Sequence, residues 1–500
     1  MKKNLLTVKR IFYLLKTRES SYWQRKQIHH SLDLFQKSAK RIPAYKSFLK
    51  KNKINPDKIK TWKDFETLPK INKKNYLTQF PLNELCWDGK LFSQNIFTST
   101  SGSTGRPFYF IRNQEVDWRC SIFIEDFIRA GNEKDMPTTL CIVCFGMGVW
   151  IGGLITYKAL EQLAIRNNFP LSIITPGINK QEIINILKEI SPYYDQILLA
   201  GYPPFIKDVI DEAEAQNINL KDKKIKIKFA AEAISEGLRD YIAKKTHMSN
   251  FYLDTINVYG SAEIGAMAVE NATCILIKRL INGNEELFRE IFSPINRVPT
   301  LAQYNPYFVN FESNEGNILF TGDSRLPLIR YAIGDKGGVM NFDEMILKLK
   351  LHGIDLIKEA KGMGLSDYIY RLPFVYVYER DDLSTSFYGL WIYPEWIRSA
   401  LLSPIAQQYL TGKFTMTTRY DARHNQFIEL NIELKKGKVP IRSFTKLIQK
   451  KIVISLQDSS SEYTEIVNHF KERAYPIIKF WSYEDLMHFK PGIKQKWVKK

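Results

Sequence analysis

The sequence predicts an α/β fold: a large N-terminal domain built on a parallel-rich sheet with crossover helices, followed by a small α+β domain. Three observations lead there. Between about residues 96 and 340, apolar strand-like runs alternate with amphipathic helical patterns, in the order LCIVCF, LITYKALEQLAI, LSIITP, KQEIINILKEI, DQILLAG, PFIKDVIDEAEA and KIKIKFAAE. That alternation is the pattern of parallel strands joined by crossover helices. Past residue 372 the runs become short and aromatic (FVYVYERDD, YGLWIYP, KFTMTTRY, QFIELNIEL) before a lysine-bearing helical stretch. Finally, 500 residues at 44% hydrophobic content supply more core than one domain holds.

Residues 1–95 read as a polar helical lead-in with aromatic anchors and proline breaks at Pro43, Pro56, Pro69 and Pro81. The opening segment MKKNLLTVKRIFYLLKTRES spaces its apolar residues helically between basic ones. It lacks the long apolar core and cleavage site of a signal peptide, and reads as a surface helix with weak membrane-surface contact as the alternative. The expected division is therefore 1–372 for the large domain, lead-in included, and 373–500 for the small one, joined by a short hinge.

A net charge of +19 permits attraction to anionic partners without speaking to fold. The lysine patches at Lys50, Lys51 and Lys53, at Lys221 to Lys228 and at the C-terminus read as solvated faces. Basic and aromatic residues are not interleaved as in nucleic-acid modules, so no nucleic-acid partner is expected. Five cysteines cannot make a disulfide framework, which points to a reducing compartment, the cytoplasm. Cys141 and Cys144 have CxxC spacing but sit in the apolar run TLCIVCFGMGVW, a buried strand rather than a zinc or redox site. Glycines at 146, 148, 152 and 153 break the apolar stretch from Thr139 to Tyr157 into strand, loop and helix start, so no transmembrane segment is expected.

The most informative stretch is Thr98 to Pro107, TSTSGSTGRP. Glycines allow close backbone approach to an anion, successive N–H groups and hydroxyls supply donors, and Arg106 adds charge: a loop suited to phosphate. It is not a Walker A loop, because Gly102 and Gly105 are only three positions apart. A second motif, Tyr259 to Gly265 (YGSAEIG), follows an apolar run and offers a ring face for a purine and, at Glu263, oxygen ligands for Mg²⁺. In a third, PLIRYAIGDKGG, Asp335 follows a glycine and could accept from paired ribose hydroxyls.

In this order and spacing the motifs resemble the adenylate-forming (ANL) superfamily, specifically its phenylacetate-CoA ligase and CapK-like branch, related to coenzyme F390 synthetase. The resemblance spans roughly residues 95–400 and takes in TSGSTGRP, the glycine loop FGMGVWIGG, LAGYPPFIKDVIDEA, AAEAISEGLRDYI, YGSAEIG, PLIRYAIGD and ERDDLSTSFYGLWIYP. It implies that Ser101, Gly102, Ser103, Thr104, Gly105 and Arg106 hold the β and γ phosphates of ATP. Arginine stands where the family more usually has lysine. Ala231, Glu232 and Ala233 would line the adenine, Tyr259 would pack on its other face with Gly260 and Ser261 beside it, Glu263 would bind Mg²⁺ and Asp335 the ribose. Thr321, Gly322 and Asp323 spell the TGD usually quoted for the ribose aspartate, but in this branch that residue follows an RYxxx stretch, which favours Asp335 over Asp323. Arg380 and Asp382 fit the hinge segment, with Glu379 in place of the family's glycine, and the small C-terminal domain would be mobile about it. Lys494 first, or Lys496, would be the C-terminal lysine that contacts the carboxylate and α-phosphate. The acyl pocket would lie at Phe145, Met147, Val149, Trp150, Gly152 and Met267.

The resemblance implies ATP-dependent activation of a carboxylic acid, aryl or medium apolar, to an acyl-adenylate with release of pyrophosphate, followed by transfer to coenzyme A. Such chemistry needs positioning and charge neutralisation rather than a nucleophilic triad, in keeping with seven histidines and no evident Ser/His/Asp set. Two alternatives stay open: transfer to an amine or hydroxyl acceptor in polysaccharide, cell-envelope or natural-product biosynthesis, and a catalytically weak scaffold. The oligomeric state is not legible.

Overall fold

The protein is described from a computed structural model over residues 7–91, 96–99, 108–132, 136–148, 151–167, 170–292, 299–378, 385–401, 403–439, 442–485 and 487–489. Its strands, in chain order, are β1 (Ile96–Ser99), β2 (Tyr109–Arg112), β3 (Thr139–Cys144), β4 (Leu171–Ile174), β5 (Gln196–Gly201), β6 (Lys224–Ala230), β7 (Thr255–Ser261), β8 (Gly265–Glu270), β9 (Thr300–Tyr304), β10 (Val309–Asn314), β11 (Asn317–Gly322), β12 (Leu328–Met340), β13 (Phe374–Tyr378), β14 (Thr385–Phe387), β15 (Leu390–Ile392), β16 (Leu410–Tyr420), β17 (Gln426–Leu434) and β18 (Ile477–Trp481).

One sheet of 11 strands dominates, in the order β10-β11-β12-β13-β9-β8-β7-β6-β5-β3-β4. The half from β4 to β7 is parallel, with crossover helices Ile151–Asn167, Lys180–Glu189, Pro203–Ala215 and Glu236–Thr246. This is the half that the alternating pattern predicts. From β7 onward every pairing is antiparallel. The strand runs β3, β5 and β6 are buried almost throughout, as expected for strands covered on both faces. Arg239 of the AAEAISEGLRDYI segment is fully buried and bonded to Glu270 of β8, while Lys278 reaches the same carboxylate at 3.2 Å. The pair ties the helix Glu236–Thr246 to the sheet.

Three expectations change. The run FVYVY, which the sequence pattern puts in the small domain, is β13 and pairs with β12 and β9 inside the large sheet, so the boundary at 372/373 moves beyond Tyr378. Lys226 and Lys228 are not on a solvated face: they are 0% and 2% exposed. With period-2 spacing they point inward from β6, where Lys226 donates to the carbonyls of Ala130 and Leu253 and Lys228 to Thr156. The first helix, Val8–Thr17, buries Ile11, Leu14 and Leu15 in a cluster with Trp23, Phe308, Tyr370 and Leu372, so the apolar stripe that suggested membrane contact is covered by the protein itself. Among the described residues no helix is long and apolar enough to cross a membrane.

Beyond β13, a two-residue turn joins β14 and β15. Tyr388 and Gly389 both have positive φ, 47° and 80°, the type I′ geometry that matches strand twist. The three-stranded sheet β16-β17-β18 and the helices Arg442–Ser459 and Ser461–Phe470 complete this smaller unit. It docks on the helix Pro203–Ala215 and the end of β6. Phe205 meets Phe470 edge-on at 5.6 Å, Arg473 pairs with Asp208 at 2.6 Å, and the Tyr388 hydroxyl donates to Asp208 at 2.8 Å.

Candidate active site

The parallel strands β3, β5, β6 and β7 carry the sequence motifs at their carboxyl ends, where ligands collect in open α/β sheets. Of the phosphate loop, Ser101, Gly102, Ser103, Thr104, Gly105 and Arg106 lie outside the described residues. The strands on either side are described: β1 and β2 pair antiparallel with Thr98 opposite Phe110. Further on, Arg112 of β2 and Asp117 of the next helix are 1% and 0% exposed and 3.5 Å apart. Burial pushes the Asp117 carboxyl up and the Arg112 guanidinium down.

The glycine loop after β3 folds back on the helix Ile151–Asn167. A Cβ at Gly153 would collide with the Gly146 carbonyl and the Met147 sulfur, so that position needs to be small, whereas one at Gly152 would only make ordinary contact with the Phe145 ring at 3.4 Å. Phe145 is fully buried, edge-on to Tyr202 at 5.0 Å, with the Lys228 ammonium 4.9 Å from its ring centroid. Burial lowers Lys228 to about 8. Sequence reasoning does not anticipate a buried cation here, because KIKIK reads equally as a strand with one wet face. Val149 and Trp150 are outside the described residues.

At the end of β7, two tyrosine–carboxylate bonds cross-link the second and third motifs. The Tyr259 hydroxyl donates to Asp335 at 2.6 Å, and the Tyr331 hydroxyl donates to Glu263 at 3.2 Å. Gly260 is exposed, while Tyr259, Ser261, Glu263 and Asp335 are half-buried to exposed around it. Met267 is fully buried with its sulfur 4.0 Å from the Ser261 hydroxyl. Arg330 holds the helical lead-in, with its guanidinium bonded to the carbonyls of Glu66 and Leu68 and paired with Glu312 at 3.0 Å. Asp323 lies at the other end of β11 from the position beside Asp335: Gly322 pairs with Leu328, and Asn317 with Lys336. Arg119 binds the Asp323 carbonyl at 2.6 Å, and burial pushes the Asp323 carboxyl up to about 6. Asp335 and Tyr259 are therefore together, and Asp323 is apart from them.

Past β6, Ala231 takes a positive φ of 72°, an uncommon geometry for a residue with a Cβ. Glu232 is buried, and its carboxylate accepts from Ser386 at 2.8 Å, from Gln426 at 3.0 Å and from the Gly389 N–H. All three donors belong to the smaller unit. Arg380, Asp382, Lys494 and Lys496 lie outside the described residues. Sequence reasoning missed the docking residues Asp208, Tyr388, Glu462 and Arg473, because their spacing carries no motif and only the fold brings them together.

No known family model and no curated protein sequence matches the chain. Solved structures do. The 2-hydroxyisobutyryl-CoA ligase with 2-HIB-AMP and CoA in its thioesterification state matches with a TM-score of 0.61 at 13% identity, covering 97% of this chain and 90% of that one. The chain has the fold of an acyl-CoA ligase. The same ligase in the postadenylation state with 2-HIB-AMP gives 0.52 at 13% identity over 98% and 90% of the two chains, and its open conformation with 2-HIB-AMP and CoA gives 0.50 at 14% over 97% and 93%.

Proposed function

We propose that this acyl-CoA ligase fold activates a carboxylic acid with ATP, forming an acyl-adenylate and pyrophosphate, and passes the acyl group to coenzyme A. The observation that carries the reading is the pair of tyrosine–carboxylate bonds, Tyr259–Asp335 and Tyr331–Glu263, at the carboxyl end of β7. It brings Tyr259, Asp335 and Glu263, to which this reading gives the purine, the ribose and the metal, close together beyond β7.

In this reading Asp335 accepts from the ribose hydroxyls while Tyr259 holds one of its oxygens and packs on the adenine opposite Ala231–Ala233. Glu263 suits Mg²⁺, which habitually takes one or two protein carboxylates and completes its shell with phosphates and water. The metal supplies charge neutralisation at the phosphates. Ser101 to Arg106 hold the β and γ phosphates, and Lys494, or Lys496 in its place, approaches the carboxylate and α-phosphate, with Arg380 and Asp382 at the hinge. Phe145, Met147, Trp150, Gly152 and Met267 form the acyl wall, and Lys228 behind Phe145 adds a buried cation to it. The higher similarity to the thioesterification state supports reading the docked smaller unit as the acyl-transfer arrangement.

The test is pyrophosphate release from Mg·ATP across aryl, fatty and hydroxy acids, each with CoA, with an amine, or with neither. Acid-dependent release that turns over only with CoA is expected. Turnover with amines alone moves the reading to amide synthesis, and absence of acid-dependent release with every acid overturns it.

A further inference from the structure

A partly open cavity lies at the opposite end of the sheet from the candidate active site. Ile256, near the start of β7, lines it, five residues before Ser261 and so about 16 Å away along the strand. Its walls are mostly apolar, aliphatic side chains such as Leu253 and Leu372 alternating with aromatic ones that include Phe127 from the helix Gln114–Arg129, Tyr252 from Phe251–Asp254, Phe308 after β9, and Tyr370 before β13. Asp126 is the one charged side chain among the described lining residues.

Two of the other polar side chains there, Gln303 and Asn271, are bonded to each other. The Gln303 amide donates to the carbonyls of Tyr370 and Leu372 at 2.7 and 3.0 Å, and its oxygen accepts from Asn271 at 2.9 Å. Among the described residues Asp126 accepts only from the Tyr370 hydroxyl, at 2.8 Å, on one of its two oxygens. No ion pair reaches it among the described residues: Lys226 is committed to two carbonyls and to Asp254 at 3.3 Å, and Glu125 to Arg129 and Arg166. A half-buried carboxylate with a single hydrogen-bond partner, in a cavity with aromatic side chains in its wall, is the chemistry that recognises an ammonium, because an aromatic ring attracts a cation and the carboxylate supplies its counter-charge; of these rings, Phe127 already has the Lys226 ammonium over it, 4.7 Å from its centroid.

We propose that this cavity is a second ligand site, taking a small primary ammonium whose alkyl body lies among the rings while its head meets Asp126. The site is independent of the ligase reading. In the empty cavity, burial pushes the Asp126 carboxyl up to about 6. The Tyr370 hydrogen bond, Lys16 and Lys226 pull it back, and Glu125 adds to the rise. A bound cation favours the ionised form, so binding weakens as pH falls below about 6.

The experiment titrates the full chain with n-butylamine and with its neutral isostere 1-butanol, by calorimetry and by thermal shift, at pH 5 to 8. The amine is expected to bind about tenfold or more tightly than the alcohol at pH 7.5. That preference should fade below pH 6, disappear in Asp126→Asn and persist in Tyr370→Phe, which keeps the carboxylate. Saturating Mg·ATP should not displace the amine, and Asp126→Asn should leave acid-dependent pyrophosphate release unchanged. Equal binding of amine and alcohol, a pH-independent preference in the wild type, or displacement by Mg·ATP would each overturn the proposal. The wild-type pH profile decides the matter even if a variant fails to fold.

Discussion

Replacing Glu462 by glutamine should remove a pH dependence from the docking of the smaller unit. Glu462 stands on the helix Ser461–Phe470, hydrogen-bonded to Tyr202 at a small cleft lined from the large domain by Gly146, Ile178 and Phe205, and from the smaller unit by Tyr388, Ile466 and Phe470. Burial pushes its carboxyl from the ordinary 4.5 up to about 7, against the opposing pull of the Tyr202 hydroxyl. Undocked, the group regains water and its ordinary value. The sign follows: below 4.5 Glu462 is neutral in both arrangements and docking is unpenalised. Between 4.5 and 7 the undocked form sheds its proton first, so docking weakens as pH rises, and above 7 the loss is complete. The full difference corresponds to at most about 3.4 kcal/mol, because each tenfold change in proton affinity is worth about 1.36 kcal/mol. The assay uses dyes on Tyr193→Cys and Val439→Cys, both strongly exposed and on opposite sides of the interface, and labelling is selective because all five native cysteines are buried. Energy transfer should report docking that falls from pH 5 to 7.5 in the wild type and much less in Glu462→Gln. A residual slope belongs to Asp208, whose carboxyl is also pushed up by burial against Arg473. If the glutamine variant keeps the full wild-type slope, Glu462 does not gate docking.

Other perturbations separate the roles assigned to the site. Glu263→Gln should cut Mg²⁺-dependent adenylation by roughly a hundredfold or more while leaving the melting temperature near wild type, since the bond it alters is the 3.2 Å contact with Tyr331. Steady-state pyrophosphate assays alongside calorimetry check both halves. Asp335→Asn should raise the KM for ATP far more than Asp323→Asn, which sits apart from Tyr259; the reverse ranking would reinstate the TGD aspartate. Gly389→Ala forces a side chain into a position with φ of 80° whose Cβ meets the Tyr202 ring, so it should undock the smaller unit, read by the same dye pair, and slow acyl transfer more than adenylation.

Much of the architecture is legible from residue order alone. The parallel half of the sheet follows from strand and helix runs in alternation, and the YGSAEIG motif falls at the carboxyl end of β7, where such sheets bind ligands. The antiparallel half is not legible, because a short aromatic strand such as Phe374–Tyr378 reads the same whether it extends the large sheet or opens a new domain; only its pairing with β12 and β9 decides. The lysines of β6 mislead for a related reason. Alternating Lys and Ile describes one apolar and one polar face, and nothing local says that the polar face is roofed by the helices Gln114–Arg129 and Ile151–Asn167, where Lys226 and Lys228 find carbonyl, hydroxyl and aromatic partners. The choice of Asp335 over Asp323 rests on family spacing; what the fold adds is only that Asp335 lies beside Tyr259 and Asp323 does not.

Glu232 joins two properties that the motifs suggest separately. The family resemblance has its segment lining the adenine, yet its carboxylate is spent on Ser386, Gln426 and the Gly389 N–H of the smaller unit, while its carbonyl is held by Asn257 of β7 at 3.0 Å. Between β6 and this anchor sits Ala231 in a left-handed conformation, which costs roughly 1–2 kcal/mol for a residue with a Cβ. A short, strained segment fixed at one end by the sheet and at the other by the docked unit cannot shift at one face without disturbing the other. If the proposed nucleotide contact at Ala231–Ala233 is right, adenine occupancy and docking must bias each other by equal free energies, because the linkage is reciprocal. The same carboxylate would then sense the nucleotide on one side and clasp the smaller unit on the other, and Glu232→Gln, which keeps the size but drops the charge, would weaken docking and reduce that mutual bias together.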